Sequence, residues 1–147
     1  MSAAEEWLIA RHAPKSAPRR RLRAFAAELG RTVAGGRRFL CLLTNDHELR
    51  RLNREFRGKD EPADVLSFPE PAGDSLGEIA ISVNRAAAQA REFGHTLEDE
   101  IKILMLHGVL HLLGLDHASG RGRMARVETR WRRKLGLPCG LIERVRR

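Results

Sequence analysis

Apolar positions along this chain follow two different periods, and the alternation between them predicts a mixed fold. Between Arg19 and Val33, the residues Leu22, Phe25, Ala26, Leu29 and Val33 recur at helical spacing, and Gly35-Gly36 ends the run. The stretch before it, residues 11–20, holds Pro14 and Pro18 and reads as a loop. Phe39-Leu-Cys-Leu-Leu43 is short and continuously apolar, the pattern of a buried strand. Thr44-Asn45-Asp46 then supplies helix-capping chemistry. Leu49, Leu52 and Phe56 give the next helix its apolar face, and Gly58 closes it. A polar loop, Arg57 to Pro62, leads into a strand over Asp64–Phe68, which Pro69-Glu-Pro71 is expected to stop. Gly73-Asp74 makes a turn before a strand over Leu76–Ser82. An alanine-rich helix follows from Val83 to Phe93, with Gly94 as its stop. Thr96 then caps a helix over Leu97–Leu113. Ala118 to Gly122 reads as a loop, and Met124 to Leu135 as a last, basic helix.

Strands and helices mix here without strict alternation. The expectation is a single small α+β domain over residues 1–147: a mixed sheet of three or four strands, covered by helices, with the apolar helix around residue 105 at its centre. At 147 residues, 42 % of them hydrophobic, the chain can bury a core and is not a disordered tail. No apolar stretch is long enough to span a bilayer, so no membrane role is expected. The acidic start, with only a short apolar stretch after it, is unlike a secretory signal and suggests a cytoplasmic protein. Cys41 and Cys139 do not form a disulfide framework, and Cys41 reads as a core thiol. The net charge of +8 favours a polyanionic partner, although an arginine-rich composition also follows from genome bias.

The chemistry is concentrated in His107-Gly-Val-Leu-His111-Leu-Leu-Gly114-Leu-Asp-His117. His107 and His111, four apart on a helix, present their rings on one face with Cβ atoms roughly 6 Å apart. In a continuous helix His117 would lie about 240° round the axis and about 9 Å further on. The helix must therefore break, and Gly114 sits where the break is needed. Three imidazoles leave a tetrahedral ion one open position, the catalytic arrangement. Nitrogen donors suit one zinc ion, and nickel or cobalt would accept the same set. Neutral ligands leave the ion its full charge, which lowers the pKa of bound water toward about 7. Asp116 either supplies a hydrogen-bond acceptor for a ligand ring or serves as a turn residue. His12, His47 and His95 lack such company and read as surface residues.

The same spacing occurs in metzincin peptidases, which place a glutamate base directly after the first histidine. Here that position is Gly108, and no Met-turn follows, since Met124 is too close. A peptidase is disfavoured by the very motif that suggests it.

The histidine run resembles the HGxLHLxGxDH signature of the YbeY family, single-strand-specific endoribonucleases of ribosomal RNA maturation. Two further blocks carry the likeness: Leu52-Asn-Arg-Glu-Phe-Arg-Gly-Lys-Asp-Glu-Pro-Ala-Asp-Val-Leu-Ser-Phe-Pro69 and Leu76-Gly-Glu-Ile-Ala-Ile-Ser82. The resemblance implies a zinc-dependent RNA hydrolase acting in 16S rRNA 3′-end processing and late 30S quality control. It implies metal ligands at His107, His111 and His117, and a functional arginine at Arg57. A guanidinium suits that role, because phosphodiester cleavage builds negative charge on phosphate oxygens. The chain departs from the family pattern at Ala63, where threonine is common, and at Glu78, where aspartate is common. It departs again after His117, where a usually acidic segment is Ala-Ser-Gly-Arg-Gly-Arg. Arg130, Trp131, Arg132, Arg133 and Lys134 could grip RNA phosphates or form a solvated face, with Trp131 expected in the core. Two other functions remain in view at this point: a zinc-dependent peptidase-like hydrolase, and a non-catalytic ribosome assembly factor whose zinc holds the helix break.

Overall fold

The computed structural model describes residues 6–115 and 121–138. In chain order it has β1 (Leu8–Ala10), α1 (Arg19–Arg31), β2 (Arg38–Thr44), α2 (Asp46–Arg57), β3 (Val65–Ala72), β4 (Ser75–Ser82), α3 (Val83–Phe93), α4 (Leu97–Leu112) and α5 (Arg121–Lys134). The strands form one sheet in the order β1-β2-β4-β3. β1, β2 and β4 run parallel, and β3 pairs antiparallel on the outside of β4. The expected α+β architecture with a mixed sheet is present, with four strands.

Alternation along the strands sorts the side chains between two cores. Phe39, Cys41 and Leu43 of β2 and Ile79 and Ile81 of β4 join α1, α3, α4 and α5 in the main core. Leu42, Leu66 and Ala80 face the other way, where Leu49 and Leu52 of α2 cover them. That double coverage is why β2 reads as a continuous apolar run. Cys41 is fully buried, and burial pushes its thiol up to about 12.

α4 is apolar nearly all round: eleven of its sixteen residues are buried, which makes it a central helix and not a surface one. It packs against β3 and β4, α1, α3 and α5. Thr96 Oγ1 accepts from the Asp99 amide at its start. At its end Gly114 takes φ 90°, the left-handed geometry expected at the break. Caps also hold at Asn45, Gly58, Ser82 and Gly94.

Four expectations need correction. Pro69 and Pro71 do not stop β3, which continues to Ala72. β3 is an edge strand, and an edge tolerates residues without an amide hydrogen. The register slips between Pro69 and Ala72, opposite Gly77 at φ 128°, where a Cβ would stand 2.3 Å from the Phe68 carbonyl oxygen. The second correction is β1, absent from the sequence reading because three residues carry no usable period. Pairing with β2 defines it, with Leu8 opposite Cys41. Third, α5 begins at Arg121, inside the expected loop, while α1 stops at Arg31, two residues short of Val33. Fourth, His95 is half-buried and stacks on Phe93, whereas His12 and His47 are exposed as expected.

Candidate functional site

The last turns of α4 bring His107 and His111 together. Their ring centroids are 4.7 Å apart, and the two Nε2 atoms approach to 3.0 Å. His107 is 6 % exposed and His111 half-buried. On the far side of His107, Nδ1 lies 2.8 Å from Oε1 of Glu128, itself 1 % exposed on α5. A carboxylate can only accept, so Nδ1 carries the hydrogen and, in the neutral ring, Nε2 keeps a lone pair turned toward His111. Two imidazole nitrogens directed at one point, one of them oriented by a buried carboxylate, fit the donor set of a zinc ion. His117 and Asp116 lie outside the described residues. Among the described residues no group of three metal-binding side chains is assembled.

Glu128 escaped the sequence reading. Its signal was present: an acid four residues after the buried Met124, on the inward stripe of an otherwise basic helix. A carboxylate on an apolar stripe implies a buried polar partner.

Gly108 explains itself through packing. A Cβ there would stand 2.9 Å from Cγ2 of Ile79 on β4, so α4 rests directly on the sheet. The Gly108 carbonyl also accepts from Ser67 Oγ of β3 at 2.9 Å, which ties the edge strand to the helix. A side chain at 108 would have to displace Ile79, which opposes a glutamate base at the place where a metzincin carries it.

His107 and His111 line a cleft of about 590 Å³. Its opposite wall is the end of α2, with Phe56 and Arg57, and its rim is β3, with Asp64, Ser67 and Phe68. Arg57 is exposed and has no carboxylate partner among the described residues. Its neighbours on α2 differ: Arg50 pairs with Asp60 at 2.9 Å, Arg54 lies 3.7 Å from Asp60, and Arg51 pairs with Glu48 and Glu55. The helix thus neutralises its other guanidiniums and, among the described residues, gives the one at the cleft no carboxylate. Asp64 is the single acidic residue among the described lining residues. Its Oδ1 accepts from the Val65 amide at 2.7 Å and its Oδ2 from Gln89 Nε2 at 3.2 Å.

A second groove, about 640 Å³, runs along the outer face of α5 past Arg126, Arg130, Arg133 and Lys134. Trp131 is half-buried against the main core, as expected, with Lys134 Nζ 5.1 Å above its ring. No helix among the described residues is long and apolar enough to cross a membrane.

The family model described as endoribonuclease YbeY matches residues 17–136. An endoribonuclease YbeY of Solibacter usitatus is 63 % identical over 135 residues, covering 92 % of this chain and 91 % of that protein. One from Koribacter versatilis is 52 % identical over 104 residues, covering 71 % of this chain and 68 % of its own. Among solved structures, the solution structure of TM1509 from Thermotoga maritima superposes with a TM-score of 0.58 at 28 % identity, covering 84 % of this chain and 86 % of that one.

Proposed function

Because the chain belongs to the YbeY family of endoribonucleases, we propose that it hydrolyses phosphodiester bonds of single-stranded RNA in the cleft between α2 and α4, with one zinc ion. The observation that carries this reading is the convergence of His107 Nε2 and His111 Nε2 at 3.0 Å, backed by Glu128 and faced by an unpaired guanidinium. His107 and His111, with His117 as the third ligand implied by the motif, would hold the ion. When bound, such an ion supplies Lewis-acid charge and makes water acidic enough to react at neutral pH.

The chain's own groups divide the remaining work. Glu128 holds the His107 ring by its Nδ1–H, so that Nε2 keeps its aim. Arg57 binds the non-bridging phosphate oxygens and stabilises the charge that grows on them as the water oxygen bonds to phosphorus and the leaving oxygen departs. Asp64 lies in the same cleft and takes the proton that water releases, on Oδ2, the oxygen that Gln89 steadies, and then returns it to the leaving oxygen, which departs as a hydroxyl.

The resemblance extends this reading to the 3′ end of 16S rRNA as substrate, the 30S subunit as partner and the cytoplasm as the place of action. Its test is cleavage of a single-stranded rRNA 3′-end fragment by wild-type, chelator-stripped and His111→Ala protein, with zinc measured in each. The expected result is zinc-dependent cleavage, lost in the stripped and substituted samples. Stoichiometric zinc without cleavage under any condition would favour an assembly factor over a nuclease.

A further inference from the structure

We propose that Phe56 is the stacking platform for one unpaired base of the RNA, and so a determinant of single-strand preference. The proposal rests on the endoribonuclease reading of the cleft. Phe56 is 61 % exposed, the only large hydrophobic side chain left exposed among the described residues. It precedes Arg57 in the chain, and both line the cleft that holds His107 and His111. A guanidinium beside an aromatic ring matches the two ends of one nucleotide, phosphate and base.

The ring is also supported. Phe68 of β3 meets it nearly edge-on, with centroids 5.7 Å apart and planes at 70°. That contact steadies one side of Phe56 while more than half of its surface stays open. The pair also borders a groove of about 400 Å³, lined by Leu42, Leu52 and Ala80 together with Arg51 and the carboxylates of Glu55, Glu70 and Glu78, so the ring can take an uncharged base there while the phosphates stay on the Arg57 side. A flat, apolar-faced ligand fits a ring placed this way. A splayed single-stranded base can reach it, whereas a base in a duplex is already stacked and paired and must be extruded at a cost.

The test uses a short single-stranded RNA, the matching duplex, and a set of single-stranded RNAs each lacking one base. Binding is read by fluorescence anisotropy in the first seconds after mixing, and cleavage is followed in the same samples. Phe56→Ala should weaken single-strand binding about tenfold and leave duplex binding unchanged. Phe56→Trp should restore it. Removing the base at one position should erase the difference between wild type and Phe56→Ala. Unchanged binding by Phe56→Ala, or an equal loss on every base-deleted RNA, would overturn the platform. Wild-type protein that shows this binding pattern but cuts nothing would uphold the platform and defeat the nuclease reading.

Discussion

The two walls of the cleft are built by opposite means. The α4 wall is core: His107 is buried, Gly108 rests on Ile79, and Glu128 is sealed beneath. The α2 wall is surface: Phe56 and Arg57 are exposed at the end of a helix whose buried residues are Leu49 and Asn53. The groups proposed to converge on an ion sit where packing fixes them. The groups proposed to meet RNA sit where water reaches them. Changes on the first wall should therefore register in stability and metal content, and changes on the second in cleavage with the fold intact.

Arg57→Ala gives the sharpest contrast. Cleavage should fall by about 10²–10³-fold, the usual cost of losing one transition-state charge contact. The melting temperature and zinc content should stay at wild-type values, and a drop in either would show that Arg57 belongs to the structural wall after all. Glu128→Gln probes the other side. Zinc affinity, titrated against a chelator, should fall about 10–100-fold, because the His107 ring loses its charged anchor. Unchanged affinity would mean that packing alone aims the ring. Gly108→Ala should destabilise by about 1–3 kcal/mol in denaturant titrations, as the added methyl meets Ile79. Pairing it with Ile79→Ala, which removes Cγ1, Cγ2 and Cδ1, should cost less than the sum of the two single changes. The smallest effect belongs to Phe56→Ala read as stability, a loss of about 1 kcal/mol or less from its contact with Phe68, against the tenfold change proposed for RNA binding.

Much of this was legible in the sequence, for identifiable reasons. The α4 histidines were readable because both stand on one helix, where a spacing of four fixes their geometry. Gly114 was readable because a third histidine six residues on demands a break. α3 came out with its bounds as expected, since Ser82 and Gly94 mark both ends. Glu128 was hidden because its partner lies 21 residues away on another helix, and no local period records such a contact. The prolines of β3 misled because their cost depends on whether a strand lies at an edge, a property of the whole sheet. β1 owes its existence to the partner strand. The difference between Arg57 and its neighbours was invisible as well, because Arg50, Arg51 and Arg54 look the same until their carboxylates are placed.

Gly108 has a consequence for descent as well as for packing. A histidine motif shared with peptidases suggests that one substitution, glycine to glutamate, could carry a chain from one hydrolase chemistry to the other. Here that step is opposed, because the first atom of any new side chain meets Cγ2 of Ile79 at 2.9 Å. Positions 79 and 108 would have to change together, the first making room before the second has any use. The contact between 79 and 108 thus makes the helix's seat on the sheet, and not only its histidines, part of what separates the two chemistries.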